Sequence, residues 1–168
     1  MTEQLGDALG YPACCIEAFS ESARYGSDPV IQGYKDESVI AWPLNVSLSC
    51  FGWTCLSHFP CSETCNASFD LARSHFEAIY LCNDVYARTL AARLGTTVIH
   101  SRALGVASTY AQDTGGVLEC RGVALADPSS PLAVALQPGA ELEYLATGAR
   151  RIGSLTLPKE DARIFRFH

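Results

Sequence analysis

The segment Cys50-Phe-Gly-Trp-Thr-Cys55-Leu-Ser-His58-Phe-Pro-Cys61-Ser-Glu-Thr-Cys65 places five soft or borderline metal ligands within sixteen residues. Two more sulfurs, Cys14 and Cys15, follow Tyr11-Pro12 near the start of the chain. Cys61 and Cys65 are four residues apart, so one helical turn would put both sulfurs on the same side, within reach of one metal centre. At a helix N-terminus the unpaired N–H groups and the positive end of the dipole favour thiolate over thiol. Cys14 and Cys15 are expected in the first turn of another helix, so two helix starts would converge on one anionic centre.

Assigning ligands depends on direction and reach. Cys15 is expected to point inward and Cys14 to sit at the boundary; if that helix begins later, Cys14 becomes the ligand. Cys55, three residues before His58, is the expected fourth sulfur. Cys50 and Cys82 are expected in the core and Cys120 within a strand. Cys82 lies 21 residues beyond Cys61, roughly 30 Å along a straight helix, too far to share the site. His58 is expected either as a labile ligand or acid–base group beside the centre, or as a cap on the helix start. Tyr11 either hydrogen-bonds at the site or staples the helix entry. His75 is expected as a hydrogen-bonded core residue.

The phrase Leu9-Gly-Tyr-Pro-Ala-Cys-Cys15-Ile-Glu-Ala-Phe19, taken with His58-Phe-Pro-Cys-Ser-Glu-Thr-Cys65, resembles a little-characterised, largely archaeal family of cysteine-containing proteins. In that family a Gly-Tyr-Pro-x-Cys-Cys element precedes a His-x-Pro-Cys-x-x-x-Cys element. The resemblance implies that Cys14, Cys15, Cys61 and Cys65 act as a set; it implies no reaction and does not extend to residues 96–168. The radical-SAM signature Cys-x-x-x-Cys-x-x-Cys is absent, because Ser68 stands three residues beyond Cys65.

The choice of metal turns on spacing. Structural zinc sites usually close a tetrahedron with two Cys-x2-4-Cys pairs, and the adjacent Cys14-Cys15 fits that pattern awkwardly. A [4Fe–4S] cluster accepts scattered thiolates, so Cys15, Cys61, Cys65 and Cys55 are read first as its ligands, with zinc as the alternative. Three cysteines with a labile fourth position, Cys55 or His58, would leave an iron open to a small-molecule substrate, for Lewis-acid (lyase) or sulfur-transfer chemistry. Four secure cysteines would instead make an electron-transfer or cluster-carrier protein meeting a basic redox partner. A zinc-stabilised interaction module is the third expectation.

The elements that must position these residues divide near Gly95. Residues 1–95 hold seven of the eight cysteines, both tryptophans and the whole net charge of −6. Two helices are predicted there, over 11–25 and 60–94, ended by Gly26 and Gly95. The second carries its charges along one stripe, opposite Cys61, Cys65, Ala72, Ile79, Asn83 and Leu90. Residues 26–60 are expected as an irregular packed connection. Residues 96–168 change to a period of two, with strands predicted over 97–103, 117–125, 142–146 and 163–167 and turns at Gly115-Gly116 and Thr147-Gly148. His100, Arg102 and Arg121 are candidate ligand contacts or solvated strand-face residues. The expected fold is α+β: a cysteine-rich helical part, 1–95, followed by a small antiparallel sheet or partial barrel, 96–168.

Composition sets the outer limits. In 168 residues, 48% apolar and 18% charged, there is enough apolar surface to build a core. An acidic balance argues against non-specific binding of nucleic acid or anionic membranes. The N-terminal residues show no secretory leader pattern, so a cytoplasmic location is expected, where disulfides are disfavoured and metal or redox roles for cysteine gain weight. No phosphate loop, catalytic serine triad or dinucleotide fingerprint is present.

Overall fold

The computed structural model describes residues 2–25, 33–35, 38–101, 103–113, 117–144, 149–158 and 161–168. Arg102, the helix stop at Gly26 and the turns at Gly115-Gly116 and Thr147-Gly148 lie outside the described residues. The helical part comes first: α1 (Thr2–Ala8), α2 (Ala13–Tyr25), α3 (Asn66–Cys82) and α4 (Asp84–Leu94). Between α2 and α3 lie a short strand, β1 (Val39–Ile40), and two 3-10 turns, Trp42–Leu44 and Ser49–Phe51. Then follow β2 (Thr97–Ser101), β3 (Gly105–Asp113), β4 (Leu118–Ala126), α5 (Pro131–Ala135), β5 (Glu141–Tyr144), β6 (Arg150–Ile152), β7 (Leu155–Leu157) and β8 (Ala162–Phe167). The fold is α+β.

The strands form one open sheet in the order β1-β8-β2-β3-β4-β5-β6-β7, antiparallel except where β1 runs parallel to β8. β2 and β8 lie side by side next to the short edge strand β1, with Val98 opposite Phe165 and Ile99 opposite Ile164. Their alternation builds two cores. Val98, Phe165 and Phe167 pack toward the helical part, with Leu44, Leu48, Cys55, Ala72, Leu90 and Leu94. Ile99, Ala162 and Ile164 face the other way, into a core that gathers residues of β3 to β7 and is plugged by Leu132 and Ala135 of α5. Successive strand residues point to opposite faces, so these two strands serve both cores.

The expected long helix is two helices. At Asn83 the backbone turns extended (φ −158°, ψ 94°), and its side-chain oxygen accepts the Tyr86 N–H at 2.9 Å, capping α4. Asparagine side chains compete in this way with the helical ladder and favour caps. Asn83 is therefore exposed rather than on the buried stripe, and Cys82 is exposed as well. Cys50, expected in the core, is also exposed, whereas Cys120 is fully buried. The start of the helix moves too: α3 begins at Asn66, so Cys61 and Cys65 precede it.

Three strands, β3, β6 and β7, stood outside the sequence pattern for a physical reason. In β3, Ala107, Ser108 and Thr109 are all fully buried, so both faces are covered and no apolar–polar alternation survives in the sequence. The short β6 and β7 hairpin is too brief to show a period. At the junction of the two parts, buried Asn45 donates from Nδ2 to the Leu94 carbonyl at 2.8 Å and accepts the Ser47 N–H. That bond satisfies one of the terminal carbonyls that α4 leaves open and ties the connection to the helix end.

Truncating the residue on which the helices rest tests this packing. Phe165→Ala should destabilise the protein by about 3–5 kcal/mol in urea unfolding. Leu81→Ala, at a position 86% exposed, should shift stability by less than about 0.5 kcal/mol.

Candidate metal centre

The first turn of α2 and the approach to α3 bring four sulfurs together. Pro12 precedes α2, its carbonyl accepting the N–H groups of Cys15 and Ile16, which places Cys14 and Cys15 in the opening turn. Cys65 is the N-cap residue of α3, and the preceding turn, closed by the Cys65 N–H on the Ser62 carbonyl, folds Cys61 back beside it. Two helix N-termini thus meet at one point. The Sγ atoms of Cys14, Cys15, Cys61 and Cys65 all lie within 4.8 Å of one another, an arrangement that can hold a metal ion. Cys15 and Cys65 are 3.6 Å apart, and Cys14 is 3.8 Å from each. Cys15 and Cys65 are buried, Cys61 is half-buried and Cys14 is exposed.

Several ties position the loop that carries Cys61. The Tyr11 hydroxyl donates to the Ser57 carbonyl at 3.0 Å, and His75 Nδ1 donates to the Cys55 carbonyl at 2.9 Å. Phe59 stacks on Phe19 of α2, ring centroids 6.0 Å apart. Glu63 accepts the Lys35 backbone N–H at 2.9 Å. The loop is therefore pinned from α2, from α3 and from the connection.

Of the residues expected at the site, Cys15, Cys61 and Cys65 are brought together and Cys55 is not. Cys55 sits in the apolar core under the helices, and burial pushes its thiol up to about 11. Cys14 stands where Cys55 was expected, because α2 opens with both adjacent cysteines on the side facing α3. His58 is buried next to the group: its Nε2 lies 2.8 Å from Ser68 Oγ, and Ser68 Oγ lies 3.1 Å from Cys15 Sγ. Its ring tilts against Tyr11 at 5.0 Å. Burial lowers the His58 pKa from its ordinary value, and His75 adds to the effect, so the ring is neutral at pH 7.

Ser68 was not among the expected site residues. It is fully buried and touches both the sulfurs and the histidine. The available signal was its place three residues after Cys65, where a helix turns its N–H and side chain back toward the cap. His100 and Arg121 lie on β2 and β4, away from the cysteines, and Arg121 pairs with Glu119 at 3.3 Å and donates to Gln112.

The thiols differ in acidity. Burial raises Cys15 to about 11, only partly offset by the Ser68 hydroxyl and the Cys61 backbone, and burial together with its sulfur neighbours raises Cys61. Burial also acts upward on Cys65, but the Ser68 hydroxyl and backbone N–H outweigh it and bring Cys65 down to about 7. Cys65 therefore becomes a thiolate before Cys15 and Cys61 do. All eight cysteines are free of disulfides.

A family model described as a protein of unknown function (DUF483) matches residues 1–76. The matched stretch holds all four clustered cysteines, Tyr11, His58 and Ser68, and it ends within α3, leaving β2 to β8 outside it. This is consistent with a little-characterised family. No curated protein and no solved structure matches the chain. Among the described residues no helix is long and apolar enough to cross a membrane.

Metal binding must expel the protons these thiols hold, which fixes the sign of its pH dependence. Cys15 and Cys61, both raised, are protonated throughout the neutral range, so at least two protons leave when an ion binds. The apparent affinity for Zn²⁺, read by chelator competition, should therefore rise with pH by at least about a hundredfold per unit. Below about pH 7 the dependence should steepen as Cys65 adds its own proton.

Proposed function

We propose that this chain is a zinc–thiolate protein, with one tetrahedral ion held by Cys14, Cys15, Cys61 and Cys65. The separation of the sulfurs carries this reading. A zinc–thiolate bond of about 2.3 Å gives a tetrahedron with edges of ~3.8 Å; the Cys15–Cys65, Cys14–Cys15 and Cys14–Cys65 pairs here are 3.6, 3.8 and 3.8 Å apart. A [4Fe–4S] cluster seats each thiolate on a different iron, which calls for a wider spread of sulfurs. With Cys14 in the set, four thiolates are also available, so the open iron of the lyase or sulfur-transfer expectation has less support than a closed site.

In this reading the ion staples α2 to the start of α3 across a separation of 50 residues in sequence. Two helix N-termini offset part of the negative charge that four thiolates bring. Bound zinc would hold the sulfurs as thiolates in a closed, structural site. Cys14, the exposed ligand, is where the centre meets solvent. His58 is a neighbour rather than a ligand. Its hydrogen bond to Ser68 orients it as the polar group beside Cys15, facing a small molecule bound there.

Metal analysis and single substitutions test this together. Protein prepared with metals present should carry one zinc per chain, and Co²⁺ substitution should give the intense blue-green bands of tetrahedral thiolate coordination. Cys14→Ser, Cys15→Ser, Cys61→Ser and Cys65→Ser should each weaken zinc binding by tenfold or more on the order of a lost ligand. Cys55→Ser, Cys82→Ser and Cys120→Ser should leave the stoichiometry at one. Brown protein with about four iron and four sulfide per chain would restore the cluster expected from the sequence.

A further inference from the structure

Beside the cysteines lies a pocket of about 200 Å³ between α1, α2 and the His58 loop. Leu5, Leu9, Ile16, Phe19 and Phe59 make its walls apolar, and Cys15 and His58 lie on its inner side. α1 can approach α2 this closely because position 6 is glycine: a Cβ on Gly6 would meet the Ile16 side chain at 2.7 Å. Around the opening, Leu5 and Leu9 remain 60% and 56% exposed, apolar surface that a bound molecule would cover.

Two residues that line this pocket each carry a buried polar atom without a partner among the described residues. His58 is 7% exposed, its Nε2 is engaged by Ser68, and its Nδ1 has no hydrogen bond. Ser20 Oγ, on the α2 side, is likewise buried and unpaired. Leaving such an atom unsatisfied costs about 1–3 kcal/mol, and a native fold usually provides it with a water or a ligand.

The hydrogen-bond chain settles which kind of partner Nδ1 requires. Metal-bound thiolates only accept, so the single Ser68 hydroxyl proton is directed to sulfur. Ser68 Oγ then accepts from His58, which puts the ring proton on Nε2. In a neutral imidazole the other nitrogen is an acceptor. His58 Nδ1 therefore needs a donor.

We propose that this pocket binds a small aromatic or branched aliphatic molecule bearing one hydroxyl or N–H head group, which donates to His58 Nδ1 while Ser20 Oγ takes its second polar contact. The direction of donation rests on the zinc–thiolate reading; the pocket itself does not. The size is suitable, since an apolar cavity of about 150 Å³ admits benzene, and this one has room for a ring with a short substituent.

The test is titration of the zinc-loaded full chain with benzyl alcohol, acetophenone and toluene, followed by isothermal calorimetry and by NMR shifts of the residues around Ile16 and His58. Benzyl alcohol should bind saturably and about tenfold more tightly than the other two. His58→Phe should erase that preference, and Leu9→Trp, on the exposed rim, should fill the pocket and weaken all three while the zinc content stays at one. Absence of saturable binding in zinc-loaded protein would overturn the pocket. A preference for acetophenone in zinc-loaded protein would overturn the donor head group and leave the metal assignment standing. Protein that holds no zinc but prefers acetophenone would overturn the metal reading and, with it, the direction of donation.

Discussion

Four sulfurs within 4.8 Å of one another constrain everything around them. As thiols they pack as small apolar groups; as thiolates they repel, and the repulsion is strongest where burial removes water. The divided acidities express this, with Cys15 and Cys61 held up by burial and by their neighbours while Cys65 is brought down by Ser68. Without a cation, Cys65 ionises well before Cys15 and Cys61. A metal ion would resolve the conflict by supplying positive charge at the centre of the group, with the two helix N-termini contributing the remainder. The local geometry of Pro12, the turn at Ser62 and the cap at Cys65 all serve to bring the sulfurs to that distance.

Holding the group requires a scaffold that does not move. The sulfurs come from opposite ends of a connection of about fifty residues, and that connection is held by β1 on β8 and by side-chain bonds: Tyr11 to Ser57, His75 to Cys55, Asn45 to Leu94. Beneath it, Phe165 and Phe167 present a rigid apolar floor from β8. The same strands bury their alternate residues in a second core, so the sheet couples the helical part to the rest of the chain.

Ser68 links the centre to its surroundings. One hydroxyl touches sulfur on one side and the His58 ring on the other, so in the proposed zinc–thiolate protein the state of the cysteines would set the tautomer of the histidine. In the same reading, a change at the sulfurs would be transmitted over two hydrogen bonds to His58 beside the pocket between α1 and α2.

The sequence by itself determined the class of fold and singled out cysteines as candidate metal ligands. Eight cysteines, with Cys14-Cys15 and Cys61-x3-Cys65 each near an expected helix start, point to a metal-ligating set because residue type and short-range spacing are local properties. The change from helical period to alternation after Gly95 is local as well, and the α+β architecture follows from it. What lay beyond the sequence was decided by contacts across long separations. Cys14 rather than Cys55 completes the group because α2 is docked against the start of α3, and Cys55 is drawn into a core that also includes Leu90 and Phe165. The break at Asn83 came from a cap competing with a helical pattern that read as continuous. β3 was hidden because Ala107, Ser108 and Thr109 are enclosed on both faces, and enclosure is a property of neighbouring strands. Ser68 and the pocket acquire their meaning only when residues some fifty apart in the chain come within hydrogen-bonding distance.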